Sequence, residues 1–132
     1  METLISNGEN IIQFDNYTDE RNSGGESRLL IVVKSCGFIG QQEIKFSQND
    51  IIVFRQCLTK LINNSGSSAA LKSSHCAEFA IEIKAIHDNV FIVLGQLSTF
   101  EPAETTVFNH SLQFSFELQF TDLVRVNLPL VQ

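Results

Sequence analysis

The clearest pattern in the chain lies near its end. Leu112, Phe114, Phe116, Leu118 and Phe120 alternate strictly with Gln113, Ser115, Glu117 and Gln119. A period of two sends one set to each side of a strand, with one apolar and one wet face, as antiparallel sheets prefer. Phe79, Ile81 and Ile83 alternate with Glu78, Glu82 and Lys84, predicting a half-buried strand. His87-Asp88-Asn89 turns the chain into Val90–Leu94, so these two runs form a hairpin. Leu29-Leu30-Ile31-Val32-Val33 is apolar on both parities, predicting a central strand covered on both faces. Two glycines in Cys36-Gly37-Phe38-Ile39-Gly40 mark a turn or bulge, after which Ile44 and Phe46 share one face of a strand. Ile11–Phe14 and Ala69–Lys72 are shorter strand candidates.

The pattern changes to a helical period after Phe46. Ile51, Phe54, Leu58, Leu61 and Ile62 follow it, with Arg55, Gln56, Thr59 and Lys60 on much of the opposite face. Ser47 is placed to cap this helix, with Asp50 three residues on and Phe46 and Ile51 set for a hydrophobic staple. Asn63-Asn64-Ser65-Gly66 stops it, since Asn or Gly accepts a left-handed backbone. Thr121 or Asp122 would cap a short last helix, Leu123 to Leu128, ended by Pro129.

These elements predict an α+β fold: an antiparallel sheet of about five to seven strands, the long helix packed on its apolar face, and a short C-terminal helix. The apolar stripe of the helix and the phenylalanine face of the last strand are the natural partners. The chain has 132 residues, 43% of them hydrophobic and 18% charged, which suits one domain with its own core. Residues 1–27 hold six acids and one base, a charge of −5, and residues 28–132 carry −1 of the total −6. The expected division is therefore an acidic, mobile leading segment, 1–27, followed by a single domain, 28–132. Asp15 to Arg28, with Asn22-Ser23-Gly24-Gly25, reads as a surface loop within that segment.

Charge also narrows the partners. There is no Lys/Arg cluster interleaved with aromatics, which argues against nucleic acid, whereas a basic protein would suit an acidic surface. No apolar run approaches the roughly 18–20 residues of a membrane span, and the start lacks the basic flank and apolar stretch of a secretory signal. Cys36, Cys57 and Cys76 are odd in number and lack CxxC spacing, which favours reduced, buried thiols and a cytoplasmic location.

No catalytic signature stands out. His75, Cys76 and His110 belong at one rim of the sheet and His87 at the other, too few and too irregular for a zinc site. His75 and Cys76 are adjacent in an extended segment and point apart, so one does not activate the other. Glu78 and Glu82 lie about 13 Å apart along a strand, beyond a glycosidase pair. The glycines form no phosphate loop. The reading is thus a binding protein, without enzymatic activity or cofactor. The long connection Thr99 to Phe108 is the best recognition element: Phe100 and Phe108 would pin it to the core and leave Glu101 and Glu104 displayed. With Glu117 on the wet face of the last strand, these are the expected partner contacts. A second use of eleven phenylalanines would be a small apolar ligand carried between helix and sheet.

The order Leu29–Val33, Gly37-Phe38-Ile39-Gly40, a capped helix rich in Phe and Leu, Ala70-Leu71, Phe79–Ile83, Val90–Gly95 with Gln96-Leu97, and Leu112–Phe120 into Thr121-Asp122-Leu123 resembles the small WapI-type immunity proteins. The resemblance covers roughly residues 28–125. The turn His87-Asp88-Asn89 lacks the glycine typical of that family's central hairpin. The resemblance implies an antitoxin that binds and occludes a toxin domain made by the same bacterium. Such toxins are often basic nucleases. It transfers no binding residues.

Overall fold

The computed structural model of the chain describes residues 2–18, 26–74, 78–102 and 107–126. Strands β1 (Glu2–Ser6), β2 (Ile11–Thr18), β3 (Glu26–Ser35) and β4 (Phe38–Ser47) lead into helix α1 (Gln48–Ile62). Strands β5 (Ser68–Lys72), β6 (Phe79–His87), β7 (Val90–Pro102) and β8 (Val107–Gln119) follow, and α2 (Phe120–Leu123) ends the described order. The strands form two antiparallel four-stranded sheets, β1-β2-β3-β4 and β5-β6-β7-β8. The fold is α+β as expected, but the strands divide between two sheets instead of sharing one. A second sheet gives the apolar face of β8 a partner that the helix alone was expected to supply.

Tight turns set the register. Ser35 opposes Phe38, and between them Cys36 and Gly37 have φ of 52° and 83°. Two successive positive φ values suit the right-handed twist of a two-residue hairpin, and Gly37 takes its share without steric cost. Asn89 (φ 63°) closes the β6–β7 turn, and a bulge between Ala85 and His87 shifts the register there. At the β1–β2 turn, Asn7 Oδ1 accepts from the backbone N–H of Glu9 (3.0 Å) and Asn10 (2.8 Å). The Asn7 side chain also donates to the Glu117 carbonyl of the other sheet at 3.0 Å.

The inward residues of both sheets and of α1 form one core. Ile5, Ile12, Phe14, Ile31, Val33, Ile44 and Phe46 meet Phe79, Ile83, Val93 and Leu118 there. Phe79 makes edge-to-face contacts with Phe14 (centroids 5.9 Å apart) and Phe46 (5.8 Å), so one ring of the second sheet sits between two of the first. The leading segment contributes fully to this core through Ile5, Ile12 and Phe14, and the expected boundary at 27/28 falls inside β3. Leu30 and Val32 are half-buried, so β3 is covered on one face only. Residues 19–25 lie outside the described residues.

Helix α1 buries Ile51, Phe54, Leu58 and Leu61 and lies against β5 and β4, the terminal strands of the two sheets. It closes one side of the two-layer core rather than lying across the face of β8. Ser47 is the N-cap residue with an extended backbone, but its side chain makes no capping bond. Asn64 takes the left-handed conformation (φ 59°) after the helix, as its sequence allows. The last helix starts at Phe120, three residues earlier than expected, with the Gln119 N–H donating to Asp122 Oδ2 at 2.9 Å. Among the described residues no helix is long and apolar enough to cross a membrane.

Candidate functional site

The long connection expected between Thr99 and Phe108 is largely a ladder. β7 continues to Pro102 and β8 begins at Val107, with Thr99 opposite His110 and Glu101 opposite Phe108. β6 starts only at Phe79, opposite Leu97, and a backbone bond from Ser98 N–H to Glu78 O (2.7 Å) marks its last link. Beyond that point, among the described residues, β7 and β8 pair on with each other alone, as a two-stranded arm. Its root is fastened by Gln96 Nε2 donating to Ser98 Oγ (2.9 Å) and by a Ser98–Ser111 hydroxyl bond (2.8 Å).

The β3–β4 turn lies beside this root. Gly40 allows the approach: a β-carbon there would stand 3.0 Å from Leu97 Cδ2 and 3.1 Å from Leu112 Cδ2. A cleft of about 210 Å³ runs between the two hairpins, lined by Ile39, Gly40, Thr99, His110 and Leu112 among others. Above it Phe38 and Ile39 are 65% and 70% exposed. Adjacent at the start of β4, they point to opposite faces of the hairpin, and each leaves most of its apolar surface in water.

Glu101 therefore sits in the arm by its backbone pairing, and its side chain lies outside the described residues, as does the whole of Glu104. Glu117 is exposed near the other end of β8. Nine residues separate it from Phe108, the partner of Glu101, a span of roughly 30 Å at strand rise. The structure does not bring Glu117 to the same end as Glu101. Glu117 instead belongs to the outer face of the second sheet, where three cross-strand rows stack: Lys72-Ala80-Gln96-Gln113, Ala70-Glu82-Leu94-Ser115 and Ser68-Lys84-Ile92-Glu117. Small Ala70 and Ala80 leave an open concavity of about 700 Å³ over the first two rows. Its charges are mixed, and Lys84 pairs with Glu82 at 3.6 Å.

His110 and His87 occupy opposite ends of the second sheet, opposite Thr99 and Val90 of β7, as their order predicted. His75 and Cys76 lie outside the described residues. Among the described residues no three His, Cys, Asp or Glu side chains gather to hold a metal. Cys57 is half-buried against the core, but Cys36 is exposed, against expectation, because the turn that carries it points outward. What the root of the arm and the β3–β4 turn offer chemically is contact: exposed apolar side chains, hydroxyl groups and a cleft. Phe38 and Ile39 were missed as surface residues, since an apolar pair next to a strand reads as core. The signal that could have found them is Cys36-Gly37 as a two-residue turn, which places Phe38 and Ile39 at the start of the returning strand. Comparison with protein-family models, with characterised proteins and with solved structures finds no match.

Proposed function

We propose that this chain is a non-enzymatic binding protein of the immunity type, which occludes a bacterial toxin domain, and that the β3–β4 turn with the adjoining β7–β8 arm is its contact surface. The observation that carries this reading is the exposure of Phe38 and Ile39 just after the β3–β4 turn, beside the root of the β7–β8 arm. Exposed aromatic and aliphatic side chains serve as anchors at the centre of a protein interface, and flanking carboxylates steer and orient a partner. Glu101 and Glu104 are the proposed flanking carboxylates. The net charge of −6 favours a basic partner, such as a nuclease domain. The resemblance in element order to WapI-type immunity proteins points the same way. A carrier of a small apolar ligand between helix and sheet would need the space that Ile51, Phe54, Leu58 and Leu61 fill.

The test is growth rescue. The C-terminal domain encoded by the neighbouring upstream gene is expressed in a naive host, with and without this protein. Killing that the chain relieves establishes an antitoxin and identifies its partner. Killing that persists removes the immunity reading for that neighbour. Charge reversal at Glu101 and Glu104 should weaken the complex, and unchanged affinity would remove those two residues from the interface.

A further inference from the structure

Asn7 precedes Gly8, and no other asparagine in the chain precedes a glycine. Asparagine before glycine is the pair most prone to spontaneous deamidation, because no side chain hinders the glycine nitrogen as it nears the amide. The Gly8 nitrogen attacks Asn7 Cγ, so an N–Cγ bond forms and the Cγ–Nδ2 bond breaks. Ammonia leaves with the proton that the Gly8 nitrogen carried. Water then opens the succinimide at either carbonyl and gives aspartate or isoaspartate. The reaction needs no partner beyond water.

The fold holds both reacting groups in other bonds. Asn7 Oδ1 accepts from the N–H groups of Glu9 (3.0 Å) and Asn10 (2.8 Å) and from the Asn10 side-chain amide (3.3 Å). Asn7 Nδ2 donates to the Glu117 carbonyl of the second sheet at 3.0 Å. The nucleophile is occupied too, since the Gly8 N–H donates to Ser6 Oγ at 2.9 Å. Asn10 is itself buried and fixed, with its Oδ1 accepting from the Ser35 hydroxyl at 2.7 Å. Turning Asn7 Cγ onto the Gly8 nitrogen therefore breaks bonds within the turn and the tie to the other sheet together. A β-carbon on Gly8 would meet nothing within 4 Å, so packing adds little restraint there and the hydrogen bonds supply it.

We infer that Asn7 is a deamidation site that the β1–β2 turn keeps closed, and that its conversion releases the β1–β2 hairpin from the second sheet. Either product puts a carboxylate in place of the Nδ2 donor, and a carboxylate does not donate to the Glu117 carbonyl. Isoaspartate also routes the main chain through the β-carbon, which lengthens the turn that the Ser6–Ile11 pair closes. The converted turn thus loses the bonds that held it shut, and the change is one-way. This inference stands apart from the toxin-binding reading and survives its failure.

The experiment incubates the full chain in mildly alkaline buffer, folded and in guanidinium chloride, with circular dichroism confirming the fold. Mass spectrometry follows conversion of amide to acid in the tryptic peptide 1–21, and fragmentation assigns it to Asn7. The folded chain should react at least about tenfold more slowly than the unfolded one, because only the opened turn reacts. Ser6→Ala frees the Gly8 N–H and should raise the folded rate severalfold. Ile51→Val lowers global stability from α1, which lies against β4 and β5, and should leave that rate unchanged. The deamidated fraction, separated by its added negative charge, should unfold at a lower denaturant midpoint than the unmodified chain. Equal rates in the folded and unfolded chain overturn the inference, as does an unfolded chain that does not convert at Asn7. Ser6→Ala without effect, or Ile51→Val with an equal effect, overturns the turn as the restraint. Equal midpoints overturn the release of the hairpin.

Discussion

The ring of Phe114 occupies the place that a β-carbon on Gly95 would take, directly across the β7–β8 ladder. The same β-carbon would stand 3.0 Å from Ile81 Cγ2. Gly95 is thus the gap into which an aromatic side chain from the neighbouring strand folds. Gly95→Ala should destabilise the protein by about 1–3 kcal/mol through overpacking, with Phe114→Leu in the same chain recovering part of the loss. Urea unfolding of the single and double variants checks it; additive losses would show that the two positions do not share the space.

Asn7 organises a turn and reaches the other sheet with one side chain. Asn7→Ala removes the acceptor for two backbone N–H groups and the donor to Glu117 O. The expected cost is about 1–3 kcal/mol, and Asn7→Asp, which keeps the acceptor alone, should cost less. Denaturant midpoints of the two variants give the comparison. Equal losses would place the value of Asn7 in its inter-sheet bond.

The β3–β4 turn uses a cysteine where the backbone favours asparagine. Cys36 holds φ at 52°, a left-handed conformation that costs an ordinary L-residue roughly 1–2 kcal/mol and asparagine less. Cys36→Asn, which creates the Asn-Gly pair preferred in such turns, should raise the melting temperature while removing an exposed thiol. A lowered melting temperature would mean that the thiol makes a contribution beyond the turn.

Phe38 and Ile39 are the surface positions whose loss should separate binding from folding. Phe38→Ser with Ile39→Ser should change stability by no more than about 0.5 kcal/mol per site, since neither side chain is buried. The same double variant should fail in the growth-rescue assay. Full rescue by a folded double variant would move the interface away from the β3–β4 turn.

Sequence pattern was most informative where burial is one-sided. The alternation in 112–120, the helical stripe of 51–62 and the strand at 79–84 each correspond to an observed element, because a period of 2.0 or 3.6 is imposed by which face meets the core. β1 escaped because five residues, Glu2–Ser6, are too few to make a period. The split into two sheets was not legible either. Local pattern says which residues face inward, but whether the facing layer is helix or sheet depends on partners far away in the chain. The arm was read as a loop because Thr99–Pro102 carries little alternation; its pairing comes from the opposing strand, not from its own pattern. Of the candidate contacts, the carboxylates were visible as charges, whereas Phe38 and Ile39 became visible only once the turn was placed.

Each sheet is built from four strands in unbroken sequence order, with α1 standing between the two sets. Every ladder is therefore closed by a neighbour along the chain, and the cost of forming it is that of closing one connection at a time. The long-range event is the meeting of the two meanders, made where Phe79 enters between Phe14 and Phe46. The molecule behaves topologically as two locally encoded halves joined by a helical linker, and its cooperativity rests on the one core they share, with Phe14, Phe46 and Phe79 among the contacts that join them.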